Sequence, residues 1–285
     1  MTLVSNLQTS QKKSIAVLLT CHNRKFKTLE CLTALYNCTL PKNHLMDIFL
    51  VDDGCSDGTA SAVKKKFPKV DIIEGTGHLY WNQGMLLAWQ SAAKKDYDFY
   101  LWLNDDTFLK KNGLNELITT SQIKENDAII VGNCCDALGI FSYGGKSKNG
   151  LSKSGNLVPN GSIQSCDRFN GNVVIIPKSV FLKLGFLCDK YLHMYGDIDY
   201  GLRARNKNIS IFSTPSFNAI CESNPIPDWL DKNKTPNPIR RIKIMRGPKG
   251  LNMSDYIVFR KKFNKRNWLL YVAKAYFKAL FPTKP

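Results

Sequence analysis

Apolar runs with little alternation recur through the first two thirds of the chain, and each ends on polar or acidic residues. Ser14–Thr20, Ile48–Val51, Val70–Ile73 and Phe99–Leu103 are such runs. Unbroken apolar segments of this length suit parallel strands covered on both faces. Between them, apolar positions fall at helical spacing: Phe26, Leu29, Leu32, Leu35 and Tyr36, then Ala60, Val63 and Phe67, then a segment from about Met85 to Lys95. The alternation of strand and helix predicts an α/β fold with a mostly parallel, doubly wound central sheet flanked by helices and right-handed crossovers. Further on, Leu114, Leu117 and Ile118 mark a helix, and Ala128–Val131 and Asn172–Ile176 mark strands. Pro177 and Ser179 open a short helix, Val180–Leu184, which Gly185 closes. Gly75–Gly84 reads as a loop, Phe141–Ser165 as a long loop or a hairpin, and Asn224–Pro238, with four prolines, as a lid or linker.

The strand ends hold the candidate chemistry. Leu101–Asp106 reads Leu-Trp-Leu-Asn-Asp-Asp, so a buried strand runs into two carboxylates. Open α/β sheets place ligands at that end of their strands. Adjacent carboxylates repel unless a cation offsets them, and a hard divalent ion suits them; the alternative is a plain polar turn. Asp52–Thr59 is a second acidic loop. It lacks the ligand spacing of an EF-hand and the Gly-x-x-x-x-Gly-Lys of a P-loop, and no Gly-x-Gly-x-x-Gly follows the first strand. A third acidic site lies at Asp197 and Asp199, followed by Arg203 and Arg205. His22, His44, His78 and His193 show no metal-ligand spacing.

Composition narrows the setting. The chain has 285 residues, 44% of them apolar, and nine cysteines with no Cys-x-x-Cys pair, which favours a reducing compartment. Residues 1–13 form a polar extension without a signal-peptide apolar segment, and no run reaches the roughly 18 apolar residues of a membrane span. The net charge is +17, of which +12 lies between Ile239 and Pro285. Such a tail seeks phosphate, on nucleic acid or on anionic lipid. Trp268–Phe281 is apolar almost all round and follows Arg260, Lys261, Lys262, Lys265 and Arg266. As a helix it measures about 21 Å, too short for about 30 Å of hydrocarbon. An interfacial helix with a polybasic flank explains both features, and packing on the main domain is the alternative. The expectation is a cytoplasmic protein, peripheral on the inner face of the membrane. The divisions follow: a catalytic domain over 14–219 and a proline-rich, basic amphipathic tail over 220–285.

Five motifs in order carry a resemblance: Thr-Cys-His-Asn-Arg, Val-Asp-Asp-Gly-Cys-Ser-Asp-Gly-Thr, Leu-Asn-Asp-Asp-Thr, Phe-Asn-Gly-Asn-Val-Val-Ile-Ile-Pro and Tyr-Gly-Asp-Ile-Asp-Tyr-Gly-Leu-Arg-Ala-Arg. Over Ile15–Arg205 the chain resembles the family 2 inverting glycosyltransferases of the glycosyltransferase-A fold, and its tail resembles that of bacterial members that build surface polysaccharides. The resemblance implies transfer of a sugar from a nucleotide-sugar to a hydroxyl of a lipid-linked glycan, assisted by Mg2+ or Mn2+. It implies Asp197 as the catalytic base and Asp106 as the metal ligand. Thr20, Arg24, Asp53, Asn82, Asn104 and Asp105 would line the nucleotide-sugar, with Asp53 at the base and Asn104 near the ribose. Asn170, Gly171, Asp199 and Arg203 would serve the acceptor or a secondary role. Three positions depart from the pattern: Asn104 replaces an Asp, Gly196 stands where many members carry Glu, and Cys221 lies near the usual metal-binding His, with Glu222 a weak substitute. A sugar-1-phosphate nucleotidyltransferase would want a glycine-rich basic loop after the first strand, and Cys21–Lys25 has no glycine. A non-catalytic nucleic-acid-binding protein would want basic residues spread over the folded face.

Overall fold

The computed structural model describes residues 12–147 and 155–282. Most of the N-terminal extension and part of the expected Phe141–Ser165 loop lie outside them. The first half is a run of crossovers: β1 (Lys13–Cys21), α1 (Lys25–Tyr36), β2 (His44–Asp52), α2 (Thr59–Lys66), β3 (Val70–Glu74), α3 (Tyr80–Ala92) and β4 (Phe99–Leu103). These strands are parallel, in the order β3-β2-β1-β4. There follow β5 (Phe108–Leu109), α4 (Gly113–Ile123), β6 (Ile129–Cys135), the short strands β7 (Phe141–Tyr143), β8 (Gly145–Lys146), β9 (Gln164–Ser165) and β10 (Arg168–Phe169), then β11 (Val173–Pro177), α5 (Lys178–Leu184), α6 (Gly196–Asn206) and β12 (Ile211–Ile220).

The sheet continues from β4 through β11, β6 and β12 to β5. β11 runs antiparallel to both β4 and β6, so the sheet is mixed beyond its first half. Alternate residues of each strand face opposite layers. On β1, Ile15, Val17 and Leu19 pack with Leu32 and Leu35 of α1, Val63 of α2 and Leu117 of α4. Ala16 and Leu18 face Trp89 of α3, Val180 of α5 and Tyr200 of α6. Both faces are therefore covered, which is why these strands read as continuous apolar runs.

A third core joins the tail to this domain. α7 (Pro238–Arg246), α8 (Met253–Phe263) and α9 (Trp268–Leu280) follow a short 3-10 turn at Asp228–Leu230. Trp229, Met245, Met253, Tyr256, Phe259, Ala275 and Ala279 bury themselves with Tyr191 and Tyr195, just ahead of α6. Buried Arg241 donates to the carbonyls of Ala279, Leu280, Thr235 and Pro236, so it ties α7 to the end of α9. α9 is thus half covered: Ala275 and Ala279 face the core, whereas Leu269, Leu270, Phe277 and Leu280, with Phe281 just past its end, remain exposed. No helix among the described residues is long and apolar enough to cross a membrane.

Candidate active site

β1, β2 and β4 deliver their C-terminal ends to one edge of the sheet, in register Cys21 beside Asp52 and Leu18 beside Trp102. Arg24, just past β1, sends Nη1 to Asp106 Oδ2 at 2.8 Å and to Asp105 Oδ1 at 3.0 Å. The two acids then diverge. Asp105 is buried and also accepts from the Thr28 hydroxyl. Burial pushes its carboxyl up to about 6; Arg24 opposes the rise and Asp106 adds to it. Asp106 keeps a fifth of its side chain exposed and is the acid open to a ligand. A guanidinium already bridges the pair, so the place accepts positive charge. One open carboxylate fits a hard cation that takes its remaining ligands from substrate phosphates and water. Glu222 turns its Oε1 to the Ala137 amide, and Cys221 is buried against Asn172.

The Asp52–Asp53 pair divides between two environments. Asp53 is 3% exposed, and its carboxylate accepts the amides of Gly77 at 2.7 Å, Leu79 at 2.9 Å and Tyr80 at 3.0 Å. Both oxygens bond the backbone of the 75–80 segment. This tertiary cap also starts α3 at Tyr80, inside the stretch expected to be a loop, and holds Tyr80 at a φ of +53°, uncommon for a bulky residue. The segments approach closely: a Cβ at Gly54 would lie 2.8 Å from the Gly77 Cα. Asp52 is the half-buried member, with one oxygen on the Cys55 amide at 2.7 Å. It was not among the site residues expected from the sequence.

Asn82 is also displaced from its expected place. It is fully buried on α3, and its amide donates to the carbonyls of Cys188 and Tyr191. Its role is to hold the 188–191 segment that leads into α6. A Cβ at position 196 would overlap Asn82 Oδ1 and crowd the Trp81 ring, which explains the glycine there in place of Glu. Thr20 sits under the same helix, where only a glycine at 84 leaves room for its hydroxyl.

Asp197 opens α6 after Tyr195, whose φ is +72°. Its Oδ1 accepts the Ile198 amide at 2.7 Å and its Oδ2 the Gly171 amide at 3.0 Å. Burial raises its pKa; the Ile198 and Gly171 amides and, more weakly, the Lys146 ammonium act the other way. From Gly171 the contacts run back to the acids of β4. A Cβ on Gly171 would touch the Trp81 ring at 2.7 Å, and Trp81 Nε1 donates to Asn104 Oδ1 at 2.7 Å. An amide oxygen accepts this bond as well as a carboxylate would, so Asn104 fills its position without a charge. Asn170 places a buried Oδ1 with no hydrogen-bond partner among the described residues, beside this chain of contacts.

Asp199 and Arg203 belong to the framework. Asp199 is fully buried; Arg203 Nε, Lys262 Nζ and the Tyr191 hydroxyl bond its two oxygens. Arg203 also donates to the carbonyls of Leu184 and Phe186. With both oxygens taken, Asp199 has nothing to offer an acceptor; it ties α6 to α8. His193 packs on Tyr80 and receives the Trp81 amide at 3.4 Å, and burial lowers its pKa.

A mixed sheet with open acids at the ends of β2 and β4, faced by a carboxylate at the start of α6, defines a glycosyltransferase-A fold. The sequence matches the family model "Glycosyl transferase family 2" over residues 16–175, more than half of the chain, and the protein belongs to that family. A curated relative, the low-salt glycan biosynthesis hexosyltransferase Agl10 of Haloferax volcanii, is 27% identical over 155 residues. That alignment covers 52% of this chain and 50% of the relative, so the chain spans about half the length of the curated protein it matches. Among solved structures, the mannosyltransferase PcManGT of Pyrobaculum calidifontis, in complex with GDP-Man and Mn2+, superposes with a TM-score of 0.53 at 13% identity, over 76% of this chain and 58% of that one. TarS of S. aureus superposes with a TM-score of 0.54 at 14% identity, over 90% and 43%. At such identities the likeness concerns the fold.

Proposed function

We propose that this protein transfers a sugar from a nucleotide-sugar to a hydroxyl of a glycan acceptor, with inversion at the anomeric carbon. The observation that carries this reading is the contact path Asn104–Trp81–Gly171–Asp197, which links the strand end that bears the open acid Asp106 to the desolvated carboxylate of Asp197 through one indole. Departure of a nucleoside diphosphate develops negative charge. Arg24 lies where it can offset that charge, being already aimed at the Asp105–Asp106 pair. A divalent ion held by Asp106, when bound, would supply further charge neutralisation. The acceptor hydroxyl loses a proton as it attacks, and Asp197 takes it. Its raised pKa makes it a stronger base than an ordinary carboxylate, while the Gly171 and Ile198 amides hold its oxygens in place. Asp52, with a carboxylate oxygen left over, meets the nucleobase.

The relatives favour this chemistry: one is named a hexosyltransferase of glycan biosynthesis, and one was solved with GDP-Man and Mn2+. The acceptor we infer is lipid-linked, in the assembly of a bacterial surface polysaccharide, with the protein docked on an anionic membrane face. The exposed apolar residues of α9, beside the basic run Arg260–Arg266, support that placement. The test is a panel of nucleotide-sugars incubated with pure protein, Mg2+ or Mn2+ and membrane lipid extract, with released nucleoside diphosphate as readout. Release dependent on one donor, lost in Asp106→Ala and in Asp197→Asn, supports the reading. No release from any donor, or full activity in excess chelator, refutes it or its metal dependence respectively.

A further inference from the structure

Beside the acids of β4 lies a second donor cluster of different chemical character. Cys21 ends β1, Asp52 ends β2, and Cys55 follows on the next loop. Their Sγ, Sγ and carboxylate oxygen all lie within 4.8 Å of one another, the only such group of three among the described residues. The two sulfurs are 3.8 Å apart. Two thiolates bound at about 2.3 Å to one tetrahedral zinc ion are separated by about 3.8 Å, because the tetrahedral angle fixes that edge. The donors are also held in advance. Asn23 Oδ1 accepts the Ser56 amide at 2.8 Å, and Asp57 accepts the Lys25 amide at 2.9 Å, so the loop after β1 is stitched to the loop after β2. The Asn23 amide points at Cys55 Sγ from 3.1 Å, the kind of outer hydrogen bond that orients a ligating sulfur. Asp52 spends one oxygen on the Cys55 amide and keeps the other.

We propose that Cys21, Cys55 and Asp52 form a site for a soft divalent cation of the zinc class, and that its occupation competes with the nucleotide-sugar donor. Two sulfurs select zinc-like ions over Mg2+ or Mn2+, so this site and the all-oxygen place at Asp106 sort different metals. Three protein donors leave a fourth tetrahedral corner for water or an incoming ligand. The competition rests on the function proposed above, since it requires Asp52 to be the acid that meets the nucleobase. An ion that takes the free oxygen of Asp52 removes that contact. Soft metals would then act on this enzyme as donor-site inhibitors.

The test uses reduced, chelator-stripped full-length protein titrated with Co2+. One equivalent should give the near-ultraviolet thiolate-to-cobalt band, and one equivalent of Zn2+ should abolish it. Asp106→Ala and Cys38→Ser should keep the band. Cys55→Ser and Asp52→Asn, both at half-buried positions that tolerate the change, should each weaken affinity by at least about tenfold, the range seen when even an outer-shell partner is lost. A band that is absent from the native protein, or that persists at full affinity in both variants, overturns the site. In a second arm, UDP, GDP and dTDP are bound in Mg2+ with and without Zn2+. Zinc should weaken the nucleotide that binds by about tenfold or more, and Cys55→Ser should be insensitive. Undiminished nucleotide binding to the zinc-loaded protein overturns the competition. Failure of all three nucleotides without zinc counts against the donor reading alone, because the cobalt band still decides the metal site.

Discussion

Exchanging the roles of two adjacent acids yields a sharp test. Asp53→Asn preserves size and one acceptor but replaces the other oxygen with a donor. In the native protein Asp53 Oδ2 accepts two amides and Oδ1 accepts the Gly77 amide, at 3% exposure. The variant keeps its carbonyl on Leu79 and Tyr80 and then sets an NH2 against the Gly77 N–H. It loses one charge-assisted bond, worth about 1.5–3 kcal/mol, and leaves a buried donor unmatched at a further cost of about 1–3 kcal/mol. A net loss of about 3 kcal/mol lowers Tm by roughly 6–12 °C at the usual scaling for domains of this size. Asp52→Asn alters a half-buried group that makes one backbone bond, so Tm should move by less than about 3 °C while nucleotide affinity falls. Differential scanning fluorimetry and nucleotide titration on both variants give four numbers. If Asp53→Asn keeps its Tm and loses the nucleotide, Asp53 meets the base and the scaffold role assigned to it is wrong.

Four further outcomes follow from the site and the tail. Asp197→Asn should lower kcat by roughly 10²–10⁴-fold with donor affinity little changed. Since burial raises the pKa of Asp197 and the base works ionised, the acidic limb of kcat/KM should lie above the usual carboxylate value of about 4, and Lys146→Gln should push it higher still; a limb that Lys146→Gln leaves in place would dissociate it from Asp197. Gly196→Ala should cost about 1–3 kcal/mol through the clash with Asn82 Oδ1, and an unchanged Tm would show that the neighbour yields freely. Phe277→Glu with Leu269→Glu, both on the exposed face of α9, should release the protein from anionic vesicles without lowering Tm, and equal co-sedimentation of variant and native protein would exclude that face as the contact.

What the sequence made legible depended on how locally each feature is determined. The strands β1, β2 and β4 were read within a few residues because burial on both faces imposes an apolar run that no distant contact needs to complete. Asp105 and Asp106 were placed at a strand end for the same reason. The start of α3 was not legible: Tyr80–Gln83 carries no local cap, and the residue that caps it, Asp53, lies just past the end of β2, 27 positions away. Nor could the sequence separate Asp52 from Asp53. Adjacent residues at a strand end point to opposite faces, and which face is covered is set by the later loop that wraps Asp53. Asn82 and Gly196 show the same dependence, meeting across 114 positions of sequence. The tail looked detachable because its charge and apolar pattern are self-contained. Lys262 on Asp199, and Asp255 on the amides of Leu192 and His193, bind it to the segment that carries Asp197. Deleting residues 260–285 would therefore strip a counter-charge from a fully buried acid two residues from the proposed base. For that reason surface substitutions on α9, and not truncation, separate membrane contact from catalysis.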